Sequence, residues 1–229
     1  MENKIIKEES VQSRFSEAPW AEDAENHHLI IGGTGGIGSW LNLFLSSINY
    51  SVHIYDFDTI ELHNLGGQFF GKHQIGTSKV QAIKENIIQF RDSKNVTIYQ
   101  EPYAENSLIS PIMISAFDNM KARKVMFENW KTQEDRVAFI DGRQLAEMGM
   151  VYCVLPGQEN LYENELFDDS EVLELNCNYK ATTHCGALTA SLLTTLVTNV
   201  IYNQKFKAEI RTLPFKLEFN LSALDFTKT

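Results

Sequence analysis

The stretch IGGTGGIGS at residues 31–39 carries glycines at 33, 35 and 38, the spacing G-x-G-x-x-G, with another at 36. Residues without a Cβ at that spacing allow a tight turn, a close approach of backbone amides to an anion, and close packing of the helix that follows. About twenty residues further on, Asp56 closes the next apolar run, where a carboxylate can accept hydrogen bonds from ribose hydroxyls. By themselves these residues point to a nucleotide phosphate. They leave open a resident nicotinamide or flavin coenzyme as well as a nucleotide that is consumed.

The elements around the glycines fit that chemistry. The run HLII at 28–31 reads as a strand, and over 36–48 the apolar residues Ile37, Trp40, Leu41, Phe44, Leu45 and Ile48 recur at helical spacing. A second strand over 52–55 completes a βαβ unit. The pattern then predicts a helix over 78–90 and a strand over 96–99. A doubly buried strand follows over 111–116 and a helix over 120–130. A strand over 137–140 is expected to end on Asp141. The next, over 144–155, follows without an intervening helix and so is expected to run antiparallel. Residues 157–180 are acidic and lack apolar periodicity, which suggests a surface crossover. A long, nearly all-round apolar helix is predicted over 186–202, then a closing hairpin over 215–226. The expected fold is α/β: a Rossmann-like open sheet, parallel in its N-terminal half and mixed in its C-terminal half, with helices on both faces. The expected organisation is a single domain over 1–229, with 1–27 an N-terminal arm and 157–184 a crossover loop.

Composition narrows the partners. Thirty Asp and Glu against twenty Lys and Arg give a formal net charge of −10, so neither nucleic acid nor an anionic membrane is an expected partner. No apolar run is read as long enough to span a bilayer, the start shows no secretion signal, and a cytoplasmic location is expected. The three cysteines, Cys153, Cys177 and Cys185, form no C-x-x-C pair and are expected as free thiols, Cys153 as a buried apolar group.

Beyond the glycines come DFDTIELHNLGGQFF at 56–70, IGTSKVQAIKENI at 75–87 and SAFDNMKAR at 115–123. A Gly-rich turn, D-F-D, N-L-x-x-Q, G-x-x-K and D-N-x-x-x-R, in that order over roughly residues 28–155, resemble the ThiF/MoeB family of adenylating enzymes related to ubiquitin-activating enzymes. The resemblance implies an ATP- and Mg²⁺-dependent adenylyltransferase. It would activate the C-terminal carboxylate of a small ubiquitin-like or sulfur-carrier protein or peptide ending in glycine, releasing pyrophosphate, as a homodimer. It also implies site roles: Gly33, Gly35 and Gly36 around the phosphates, Asp56 with Asp58 at the ribose, and Asn64 and Gln68 on phosphate oxygens. Lys79 would be a point charge against the phosphates, and Asp118 the Mg²⁺ ligand with Asn119 beside it. His63 falls in the same phosphate-contacting loop, by side chain or by backbone. Four of these residues have plainer alternatives: Asp56 and Asp58 as turn residues, Lys79 as a solvated helix residue, and Asp118 as a helix cap with Asn119 next to it.

The sequence also departs from the family. The usual N-L-x-R-Q arginine is Gly67 here, so a cation is missing from the phosphate side. Lys72, or Arg14 reaching across a dimer interface, are the candidate replacements. The family's paired C-x-x-C zinc motifs are absent. Cys185, expected at a helix start where free amides would lower a thiol pKa, is a candidate nucleophile, and Cys177 a weaker one, whereas His184 reads as a surface or packing residue. These departures keep a second class of function open, a nucleotide-binding or scaffold protein of reduced activity. A nicotinamide-dependent oxidoreductase is the third.

Overall fold

A computed structural model describes residues 14–15, 17–91, 95–168, 181–208 and 210–229. Among the described residues, eight strands form one open sheet in the order β3-β2-β1-β4-β5-β6-β7-β8. The strands β1 (His28–Gly32), β2 (Ser51–Tyr55), β3 (Val96–Tyr99), β4 (Ile112–Ser115) and β5 (Ala138–Leu145) pair in parallel. β6 (Met148–Val154), β7 (Lys216–Asn220) and β8 (Asp225–Lys228) add on in antiparallel fashion. The sheet is therefore parallel first and mixed afterwards, as expected. The continuous apolar runs of β1 and β4 are buried because helices cover both faces there.

On one face α1 (Gly38–Ser46), α2 (Lys79–Arg91) and α5 (Thr183–Lys205) enclose a core of Leu41, Leu45, Ile83, Leu193 and Val197 against Ile31, Ile114 and Ile140. On the other, α3 (Met120–Lys131) and the short α4 (Glu159–Glu163) bring Phe127, Trp130 and Tyr162 onto Phe139 and Tyr152. Trp130 is fully buried and spends its indole N–H on the Pro111 carbonyl, so its apolar area is removed from water without an orphaned donor. The 23-residue α5 is the one described helix long and apolar enough to cross a bilayer, a length the sequence reading did not register. It packs along β5 and β6 with 56% of its apolar window buried, which is how a core helix behaves.

Some details differ from expectation, among them α5, which runs from Thr183 to Lys205 rather than over 186–202. β5 does not end on Asp141 but continues to Leu145, because cross-strand pairing with β6 runs from Phe139 to Leu145. Asp141 is thus an interior strand residue. The acidic segment after β6 is described through residue 168, where it forms a short helix and ion pairs: Glu159 pairs with Arg136, Glu163 with Lys131 and Glu165 with Lys216. Its remainder, 169–180, including Cys177, lies outside the described residues.

The chain leaves β1 for β2 and β3 on one side and returns to β4 and β5 on the other. Gly32 stands level with both Tyr55 and Ser115, so three neighbouring strands deliver their C-terminal loops to one place. That point, where the strand order reverses, is where open α/β sheets bind ligands.

Candidate functional site

The glycine turn is held by its own backbone. The Gly33 N–H donates to the Tyr55 carbonyl at 2.9 Å, and Gly33 takes φ 91°, a left-handed conformation that an L side chain adopts only under strain. A Cβ at Gly33 would lie 2.7 Å from the Ala116 carbonyl oxygen, and one at Gly38 only 2.0 Å from the Gly33 carbonyl oxygen. Those two glycines serve packing within the turn. A Cβ at Gly35 would meet no atom of the described residues within 4 Å, and the position lies beside the N-terminus of α1. Gly36 serves a third purpose: the start of α5 rests on it, and a Cβ at Gly186 would come within 2.5 Å of its carbonyl oxygen. Gln144 on β5 secures that seat by donating its amide to the Thr182 carbonyl at 2.9 Å.

A chain of hydrogen bonds leads from the turn to the lysine. Thr34 donates both its backbone N–H and its hydroxyl to Asp56 Oδ2, each at 2.7 Å, and the Asp58 N–H donates to Asp56 Oδ1 at 2.9 Å. Asp58 in turn accepts from Lys79, by its backbone carbonyl at 2.9 Å and by Oδ2 at 2.7 Å from Nζ. The Lys79 side chain is 8% exposed and that of Asp58 44%, so the ammonium is mostly withdrawn from water and its anionic partner is not. Asp58 thereby anchors the lysine rather than sharing Asp56's position.

Between β2 and α2 a 3-10 turn over Leu62–Gly66 carries Asn64 and leads to Gln68. Asn64 is buried; its Oδ1 accepts from the Glu61 N–H at 2.8 Å and its carbonyl from the Gln68 N–H at 2.9 Å. Gln68 Oε1 is buried and, among the described residues, has no hydrogen-bond partner. Thr183 Oγ1 at 2.6 Å and Trp40 Nε1 at 3.3 Å donate to the carbonyls of Gly66 and Gly67, clamping the turn onto α5 and α1. The His63 side chain points to solvent, 3.4 Å from Glu61, which leaves its backbone as the part of it inside the turn. Lys72 is exposed.

After β4, Asp118 is exposed and Asn119 caps α3, its Oδ1 accepting from the Ala122 N–H at 2.8 Å. The cap role, allowed beforehand for Asp118, belongs to Asn119, whose Nδ2 also donates to Asp118 Oδ1 at 3.2 Å. Arg123 of the D-N-x-x-x-R motif turns inward, bonding the Phe117 carbonyl, the Gly142 carbonyl and the buried Asp141 carboxylate. Asp141 also receives Arg143 Nε at 2.7 Å and the Tyr162 hydroxyl at 2.9 Å. Burial opposes charge on Arg143, but Asp141 outweighs it and keeps the guanidinium protonated. Burial, and then the Asp141 charge, push the Tyr162 hydroxyl well above its ordinary range. This network braces the loop that presents Asp118. Sequence reasoning missed it because Asp141 was read as a strand end.

Residues 9–228 match the ThiF family. The chain belongs to the ThiF family. It is 27% identical over 169 residues to SUMO-activating enzyme subunit 2 of Dictyostelium discoideum, covering 69% of this chain and 25% of that protein. The chain thus spans about a quarter of the length of the curated relatives it matches. Among solved structures, E. coli MccB with ATP superposes with a TM-score of 0.70 at 16% identity, over 92% of this chain and 65% of that one. The microcin C7 biosynthetic enzyme MccB in complex with N-formylated MccA gives 0.70 at 16%, over 96% and 69%. At that identity the likeness concerns the fold.

One ThiF-type expectation requires correction. Cys185 sits in the first turn of α5, yet its thiol is fully buried, and burial pushes its pKa up to about 11 despite a hydrogen bond with Thr189. Desolvation of the thiolate outweighs the helix dipole, so the lowered thiol pKa expected at this helix start is reversed. Arg14, exposed on the arm, is carried to the other end of α1. Phe15 stacks on Trp20, which packs with Phe44 and Ile48, far along the helix from Gly38. The arm thus leaves Arg14 away from its own chain's glycine turn, a placement that does not oppose the expected reach across a dimer interface. Cys153 is buried and free.

Proposed function

We propose that this ThiF-family chain spends ATP on adenylating the C-terminal carboxylate of a small ubiquitin-like or sulfur-carrier protein or peptide, releasing pyrophosphate. The observation that carries the reading is the convergence of the glycine turn, Asp56 and the Asp118 loop from three adjacent strands at one level, with a sequestered Lys79 tethered to the same strand end. Family membership supports it, as do relatives named for SUMO activation and a fold-mate bound to ATP.

In this reading open Gly35 admits the phosphates to the amides at the N-terminus of α1, Asp56 holds the ribose, and Lys79 places charge against the phosphates. Asn64 and Gln68 face the phosphates. The donor set at Asp118 suits Mg²⁺, which takes one or two carboxylates and completes its shell with phosphate and water. Among the described residues no group of three metal-ligating side chains would favour a different ion. Asp118 would hold the magnesium, which when bound neutralises charge on the triphosphate. Arg14 would act in trans in a homodimer, and the protein would work in the cytoplasm without nucleic acid or membrane.

ATP–pyrophosphate exchange stimulated by a glycine-ended partner is the expected activity, abolished in Asp118→Ala. Exchange that persists unchanged in that variant removes the metal assignment, and absence of exchange with any such partner removes the reaction. Gly67 favours a second reading, a nucleotide-binding scaffold: without the family arginine, calorimetry would show ATP binding and no turnover. Tight NAD binding with a hydride signal would instead mark an oxidoreductase.

A further inference from the structure

We infer that Thr34 makes the ribose grip of this site one-pointed, so that the protein senses only one of the two ribose hydroxyls through Asp56. The inference rests on the nucleotide reading above. An ionised carboxylate offers about four lone-pair positions, two on each oxygen. Among the described residues Asp56 already fills three of them: Oδ2 accepts from both the N–H and the hydroxyl of Thr34, and Oδ1 accepts from the Asp58 N–H. One position remains, on Oδ1. Two ribose hydroxyls donating to this carboxylate would need two.

The decisive group is the Thr34 hydroxyl. The backbone donors from residues 34 and 58 are available whatever the side chain, whereas the third bond exists only because a hydroxyl stands between Gly33 and Gly35. Thr34 is fully buried, so its hydroxyl does not meet water, and its bond to Asp56 is its partner in this structure. Asp56 is half-buried, which leaves the carboxylate reachable from the ligand side. Thr34 is accordingly a specificity residue that acts by occupying its neighbour, without touching the sugar.

The test measures equilibrium binding of ATP, 2′-deoxy-ATP and 3′-deoxy-ATP to the full chain and to Thr34→Val and Thr34→Ser. The wild type should lose about tenfold in affinity for one deoxynucleotide, the size of one hydrogen bond to a charged group, and stay within about twofold of ATP for the other. Thr34→Ser should repeat that pattern. Thr34→Val, close in shape but lacking the donor, frees a lone pair on Oδ2 and should weaken for both. Comparable losses for both deoxynucleotides in the wild type would overturn the inference, as would an unchanged pattern in a folded Thr34→Val. If ATP binds and neither deletion matters, Asp56 is not the ribose anchor and the inference falls. If ATP does not bind at all, the nucleotide reading fails first. The wild-type comparison stands even where Thr34→Val does not fold.

Discussion

Cys185 and Gly67 show what a single position can decide. A thiol whose pKa is pushed to about 11 stays protonated throughout the neutral range, and only above that value would its thiolate form. Cys185→Ser should therefore keep ATP–pyrophosphate exchange within about twofold of the wild type, since the residue is only a small buried group here. Alkylation of Cys185 in the native protein should show no titration wave between pH 6 and 9 in a mass-spectrometric time course. Among the described residues, a Cβ at Gly67 meets no atom within 4 Å, so a longer side chain meets none of them at its root. Gly67→Arg should strengthen ATP binding by calorimetry, by about tenfold if the guanidinium reaches the phosphates. Unchanged affinity would mean that the site is organised around a different cation.

The glycine turn separates stability from binding within one element. At Gly38 an added methyl runs into the Gly33 carbonyl, backbone that cannot move without disturbing β1. Gly38→Ala should cost several kcal/mol, lowering the melting temperature by on the order of 10 °C or leaving the chain unfolded. At Gly35 the methyl meets no atom of the described residues, so Gly35→Ala should melt within a few degrees of the wild type. It should nevertheless weaken nucleotide binding, because the methyl stands where the phosphate must approach. If both variants lose stability equally, the turn is a packing device only. The spacing of these glycines was readable in the sequence, but their division of labour was not: it depends on Ala116 and Gly186 backbone contributed from other elements, and on the folding of the turn that sets the Gly33 carbonyl against Gly38.

At the scale of the whole molecule, two clusters join elements distant in the chain. Asp141 on β5 binds Arg123 of α3, Arg143 and Tyr162 of α4, so removing its charge leaves two buried guanidinium groups poorly paired. Asp141→Asn should destabilise the protein by about 3–5 kcal/mol in urea unfolding, in the range found when one partner of a buried pair is lost. It should also weaken Mg²⁺-dependent nucleotide binding, because Arg123 holds the Phe117 carbonyl next to Asp118. Glu165 joins the crossover segment to β7 and β6. Burial raises its pKa, but hydrogen bonds from Tyr152 and Lys216 outweigh burial and hold it below the usual carboxylate range. A lowered folded-state pKa means that its contribution is complete above the ordinary glutamate value of about 4.3 and lost as pH falls through the lower one. Glu165→Gln should accordingly narrow the stability difference from the wild type as pH drops below about 4, measured by unfolding at fixed pH.

Local patterns in this chain determined most of the elements and the location of the site. Uninterrupted apolar runs mark strands buried on both faces, glycines at 33, 35 and 38 mark a phosphate-seeking turn, and acidic residues follow the second and fourth strands. Those signals lie within a few residues of each other, and backbone sterics and periodicity suffice to read them. Tertiary structure alone decided what each polar group is bonded to. Thr34 is an ordinary residue between glycines until β2 brings Asp56 against it, and Asp141 looks like a strand end until β6 extends the pairing. Cys185 has the position of an activated thiol until packing removes its water. Desolvation and hydrogen-bond occupancy are sums over neighbours from every element, and no spacing along the chain records them.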